Sequence, residues 1–287
     1  MTLMLTGSLM SSAPSLADVN DWIGLDDEAP ATRVGLLLTR DEQANSTQAL
    51  YLQRLLSDAV TLDINISRDR LDHPQQVFNS DDFKSTLAFE LNPDWSSTVG
   101  YQFQGQRAEL EIEQFSLRID YAPYPAFGSL EISAGDVTLF PRDDLPARFN
   151  SATGITSNMS SRQLELGWWF DDFTLSARYL DMDYQRDITQ LETRPLLQTL
   201  VKPGALAQSG LLIARQASID FSLPLELHRL AAHISSTTSA LNHQSIRSVQ
   251  LDWNHHIGKQ WDGMIFISRY LDDDPDWTLS VGIEWNG

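Results

Sequence analysis

Apolar residues occupy every second position over one segment of this chain after another. The rhythm is clearest in LELGWWFDDFTLSARY, Leu164 to Tyr179. Leu164, Leu166, Trp168 and Phe170 share one face of a strand. Phe173, Leu175, Ala177 and Tyr179 share one face of the next, with Asp171-Asp172 as a two-residue turn. The opposite face carries Glu165, Gly167, Thr174, Ser176 and Arg178. Periodicity alone leaves open whether the apolar face meets a protein core or lipid, because both cases alternate.

The same rhythm runs from end to end. Val60-Leu62-Ile64-Ile66, Leu87-Phe89-Leu91, Val99-Tyr101-Phe103 and Leu130-Ile132 all alternate with polar residues, as do Ala217-Ile219-Phe221 and Val249-Leu251-Trp253. The chain closes on Trp277-Leu279-Val281-Ile283-Trp285. In the middle, Ala108, Leu110 and Ile112 alternate with Glu109, Glu111 and Glu113, after which the apolar set moves to Phe115, Leu117, Ile119 and Tyr121. That one-residue shift predicts a β-bulge at Gln114. The pattern predicts about fourteen antiparallel strands of roughly 8–12 residues, the length a tilted strand needs to cross a bilayer. The first two, near 32–40 and 48–57, are the weakest, because Leu50, Arg54 and Leu55 also suit a short helix; the count falls to about twelve if they are helical.

Connection lengths and aromatic positions decide between core and lipid. Tight turns are expected near Ser57-Asp58, Asn92-Asp94, Ala122-Phe127, Asp171-Asp172, Leu223-Glu226 and Asn254-Gln260. Longer or more polar links are expected at 68–82, 141–160, 186–211, 236–244 and 271–276. A membrane barrel sorts its connections this way, with short turns at one rim and long loops at the other; a soluble sandwich has no reason to. Trp95, Tyr121, Trp168, Phe170, Trp253, Trp261 and Trp285, with Trp169 and Phe173, gather at the tight-turn ends. Rings with an apolar body and a polar tip prefer that interfacial level. The reading is an all-β, closed antiparallel transmembrane barrel, since an open sheet edge in hydrocarbon leaves backbone groups unpaired.

Composition removes several other classes. A net charge of -19 argues against a nucleic-acid partner, and the absence of cysteine removes disulfides, thiolate metal sites and thiol nucleophiles. The opening MTLMLTGSLMSSAPSLADVND reads as a secretory signal without its basic start, cleaved after Ser15-Leu16-Ala17. The expected organisation is a signal at 1–17, a periplasmic segment at 18–31 and the barrel at 32–287.

With these features the chain resembles the Gram-negative outer-membrane β-barrels, in particular small monomeric porin-like channels. The resemblance lies in the pattern over the whole mature chain. WTLSVGIEW is similar to the terminal assembly signal of that class, extended here by Asn286-Gly287. The resemblance implies an outer-membrane location with periplasmic termini. It implies as partners the barrel-assembly machinery, outer-membrane lipid and lipopolysaccharide.

If the apolar positions face lipid, the intervening ones line the lumen. Glu109, Glu111, Glu113, Arg118, Asp120, Glu131, Glu165 and Arg178 are the candidate lumen residues. Such an acidic interior favours passage of small cations, with no cofactor. Three rivals stand beside this channel. A non-conducting barrel would serve structure, export or partner docking. A soluble secreted sandwich would bury the same apolar faces. A lipid-facing hydrolase would use His243 and Ser245, which share a strand face, but it finds no third residue to orient the histidine. His255-His256 point oppositely in a strand and so make a poor metal pair, and Asp272-Asp273-Asp274 lack the spacing of a calcium loop.

Overall fold

In this computed structural model, the described residues are 31–287 apart from 43–44, 74–75, 107–108, 141–154, 186–211, 241–242, 259 and 272–275. They form fourteen strands. The first seven are β1 Thr32–Asp41, β2 Ser46–Ser57, β3 Val60–His73, β4 Gln76–Asn92, β5 Trp95–Gln106, β6 Leu110–Tyr121 and β7 Ala126–Leu139. The rest are β8 Ile155–Trp169, β9 Thr174–Tyr184, β10 Ile213–Leu225, β11 His228–Ser239, β12 Ser245–His256, β13 Trp261–Tyr270 and β14 Trp277–Asn286. Each strand pairs antiparallel with its neighbours in sequence, and β14 pairs with β1, so the sheet closes into a barrel. Closure leaves no edge, which is what a bilayer demands of a sheet.

The distribution of side chains is inverted relative to a soluble protein. Phe115, Leu166, Leu251 and Ile219 are exposed at 64%, 59%, 58% and 54%, while Ser133, Ser161, Glu165, Asp252 and Glu284 are buried. Alternation along each strand therefore sends apolar groups outward and small polar or charged groups into the barrel.

The two weakest predicted strands, β1 and β2, are regular and pair over most of their length. The expected link at 68–82 is instead a hairpin: β3 and β4 run on as strands of 14 and 17 residues, joined across 74–75. Residues 155–160 and 236–239, expected as link, also belong to strands. The tight turns fall where expected and gather at the rim that carries the chain's strand termini, Thr32 and Asn286. Of the expected signal and periplasmic segments only Ala31 is described; its carbonyl accepts the Leu55 amide at 2.9 Å.

The bulge expected at Gln114 is absent. β6 keeps unbroken register with β5 and with β7, so Leu110 and Ile112 share the inward face with Gln114, Ser116, Arg118 and Asp120. They join Val137, Leu139, Met159, Leu212 and Ala240 in a buried apolar cluster inside the loop-end mouth, over β6 to β11. The apolar pattern changed phase because this part of the interior is itself apolar.

The closing seam is held from inside. Tyr51 on β2 lays its ring across Gly35 on β1, where a Cβ would lie 1.9 Å from the ring. The Tyr51 hydroxyl then donates to Glu284 on β14. Only glycine on the middle strand allows so close an approach.

Candidate functional site: the lumen wall

The inward faces carry polar groups tied across strands. Arg118 on β6 donates from Nε to Asp120 at 2.6 Å and from Nη2 to Glu165 Oε2 on β8 at 3.4 Å. Arg178 on β9 reaches the same Glu165 oxygen at 3.3 Å. Glu131 on β7 stands opposite Arg118 in register. Five of the eight predicted lumen residues are thus inward, and four share one ion-pair network. Glu165, 5% exposed, neutralises its burial by sitting between two guanidinium groups.

The network continues around the terminal half of the barrel. His233 pairs with Asp220, Gln250 donates to Asp252 at 2.8 Å, and His256 pairs with Asp262. Asp262 also accepts from the Asn286 side chain at 2.7 Å. On the other wall, Thr47 donates to Asp69 at 2.6 Å, Gln102 to Asp82 at 3.3 Å and Thr86 to Asp63 at 3.4 Å.

Two of the remaining three predicted residues are corrected. Glu111 and Glu113 lie on the outward face of β6, in step with Phe115 and Leu117, because no bulge returns them inward. Glu109 precedes the strand, its amide bonded to the Gln106 carbonyl at 3.0 Å, and one oxygen of its carboxylate is buried. The inward residues Arg33, Lys84, Arg229, Asp69, Asp82 and Asp262 were not singled out from sequence. Carrying each strand's parity to its ends would have found them.

At the tight-turn rim, Trp95, Tyr121, Trp168, Phe170, Trp253 and Trp261 are exposed, and Trp285 lies in register between Val34 and Trp261. Trp95 and Tyr121 pack with their rings tilted, 4.4 Å between centroids. Trp169 departs from the expected girdle: it has inward parity and packs on Phe127 at 4.9 Å.

The hydrolase geometry is not assembled among the described residues. Ser245 Oγ bonds to Thr238 Oγ1 at 2.9 Å, and His243 sits before the strand with φ of 57°. His255 and His256 do point oppositely: His255 stacks outward on Trp253 and His228, while His256 turns in to Asp262. The Asp272-Asp273-Asp274 run lies outside the described residues.

No family model matches the chain, and no curated protein matches it in sequence. Solved structures do. The barrel is similar to the "CymD monoaromatic hydrocarbon channel", with a TM-score of 0.55 at 7% identity over 91% of this chain and 89% of that one. It is similar to the Acinetobacter baumannii outer membrane protein Omp33, with a TM-score of 0.51 at 4% identity over 90% and 99%. The "KdgM porin" aligns with a TM-score of 0.46 at 6% identity over 89% and 99%. The chain shares the closed-barrel fold of the first two of these proteins.

Proposed function

We propose that this barrel is a passive outer-membrane channel whose water path runs along the β3–β5 wall and favours small cations. One observation carries the reading. The inward faces of β3, β4 and β5 hold no large apolar side chain from Thr61 to Asp69, Asp82 to Glu90 and Ser96 to Gln106. That wall sets Asp63, Asp69, Asp82 and Glu90 against Lys84. The apolar cluster fills the opposite side of the loop-end mouth. Carboxylates in a confined aqueous path hold a negative potential and lower the entry barrier for cations. Short turns at the terminal rim and longer links at the other support periplasmic termini.

One observation favours a second reading, the non-conducting barrel. Leu110 and Leu212 are 0% exposed and Val137 is 1% exposed although they belong to the inward-facing cluster, so that part of the mouth is filled. Bilayer recording of the refolded full chain separates the two. Ohmic conductance with cation preference supports the channel; a silent, correctly folded barrel supports the plugged form.

A further inference from the structure

Inward-facing cations of this barrel differ in whether they are tied down. Arg118 and Arg178 share Glu165, and Arg229 donates to Ser222 at 2.8 Å. Lys84 on β4 is different. It is exposed, has inward parity and takes part in no hydrogen bond or ion pair among the described residues. The chain has lysine at positions 84, 202 and 259 only and otherwise uses arginine. An arginine fork grips a carboxylate in a fixed bidentate pose, whereas an ammonium on a flexible stem is a hydrated point charge that can take one and release it.

Carboxylates stand near Lys84 without neutralising it. Asp82 lies two residues along the same strand face, about 7 Å away. Asp63 on β3 is opposite Thr86 in register, which makes it the diagonal neighbour of Lys84 at about 7–8 Å. Neutral groups hold both: Gln102 donates to Asp82 at 3.3 Å and Thr86 to Asp63 at 3.4 Å. Directly beside Lys84 in register are two amides, Asn65 on β3 and Gln102 on β5, and Asn65 is exposed as well. Asp69 adds a carboxylate on the loop side of Asp82, while Arg33 lies two strands from Asp63, beyond Gln53. The patch is therefore net negative, with its opposite charges held apart.

Separated charges of both signs match a solute that carries both. A solute with cations alone is repelled by Lys84, and one with carboxylates alone is repelled by Asp63 and Asp82. A solute with one carboxylate and two cationic groups answers all three side chains, and its net positive charge complements the patch. Asn65 and Gln102 add amide donors and acceptors beside the ammonium group. Each of these ion pairs is solvated, so the solute is held weakly enough to leave, as passage through a channel requires.

We propose that the lumen wall around Lys84 is a transit-binding site for cationic α-amino acids. The solute carboxylate takes a charge-assisted hydrogen bond from the Lys84 ammonium, and its two cationic groups turn to Asp63 and Asp82. The site deepens the channel reading, naming a solute class for it, and rests on the β3–β5 wall being open to water.

The test is a saturation-transfer NMR titration of the refolded full chain in detergent micelles. The probes are L-arginine and agmatine, its analogue without the carboxylate. K84Q makes the lumen more negative, so attraction of charge alone raises the binding of both probes. Recognition of the carboxylate instead lowers L-arginine binding about fivefold, the upper range for one solvated ion pair, while agmatine binds at least as tightly as before. L-Arginine binding survives in K84R, D63N/D82N weakens both probes, and E113Q on the outer wall changes neither; the heat-modifiability shift reports folding of each. L-Arginine binding that is unchanged or rises in K84Q overturns the site, as does a folded wild type that binds no L-arginine. L-Glutamate bound as tightly as L-arginine overturns the cationic preference. Conductance of the same samples is read separately: a silent barrel that binds L-arginine through Lys84 refutes the channel and keeps the site, and a cation-selective channel whose L-arginine binding ignores K84Q does the reverse.

Discussion

Replacing Gly35 with alanine tests how the barrel closes. An ideal Cβ at this position would lie 1.9 Å from Tyr51 Cζ and 2.1 Å from its hydroxyl oxygen, inside any tolerable contact. Normal contact distances of about 3.5 Å would require the ring to move by about 1.5 Å. The ring is 8% exposed and cannot simply swing into solvent. Moving it also withdraws the hydroxyl from Glu284 on β14, so the clamp from β2 across β1 fails. Overpacking of this kind costs about 1–3 kcal/mol. Loss of a hydrogen bond to a charged acceptor costs about 1.5–3 kcal/mol. Because both effects act through one ring they overlap, and Gly35→Ala should destabilise by about 2–4 kcal/mol. The assay is denaturant unfolding in detergent micelles, followed by heat-modifiability and tryptophan fluorescence. Adding Tyr51→Ala removes the clash but not the loss of the clamp, so the double variant should be less damaged than independent effects imply. A Gly35→Ala barrel within about 0.5 kcal/mol of wild type, or strictly additive costs, refutes the clamp.

Three further outcomes follow from the strand faces and the lumen network. Leu166→Arg, placed on the lipid side of β8, should cost about 2–4 kcal/mol or block assembly if it lies near the bilayer midplane. Gln163→Arg on the inward face, opposite Glu131, should fold with a normal heat-modifiability shift. Glu165→Gln takes the shared carboxylate from Arg118 and Arg178 and should lower stability by about 1.5–3 kcal/mol in guanidinium unfolding. Glu111→Gln with Glu113→Gln, both outward, should leave the reversal potential of the channel unchanged in a salt gradient.

Strand number, barrel closure and the tight-turn rim were legible in the alternation and the spacing of turns. Lumen assignments followed wherever one rule held, apolar out and polar in: Arg118, Asp120, Glu131, Glu165 and Arg178 all obey it. The rule failed at Leu110 and Ile112, which pack inward against Val137 and Met159. A local apolar interior reverses the hydrophobic phase without reversing the strand, and a bulge is the wrong remedy. The β3–β4 hairpin was missed for a related reason. Arg68, Arg70, Asp81 and Asp82 read as link because both faces turn polar once a strand rises past the apolar band, yet backbone pairing continues. Tyr51, Gly35 and Glu284 are brought together by the β1–β14 seam.

The most direct measurement is the reversal potential of single refolded barrels across a low-salt potassium chloride gradient, for wild type and for Asp63→Asn/Asp69→Asn/Asp82→Asn. Weak screening at low salt keeps the potential of these carboxylates effective across the path. The wild type should conduct with a cation-selective potential, and the triple variant should conduct with that potential moved toward neutrality. A folded wild type that stays silent, or conducts with anion preference, contradicts the proposed channel.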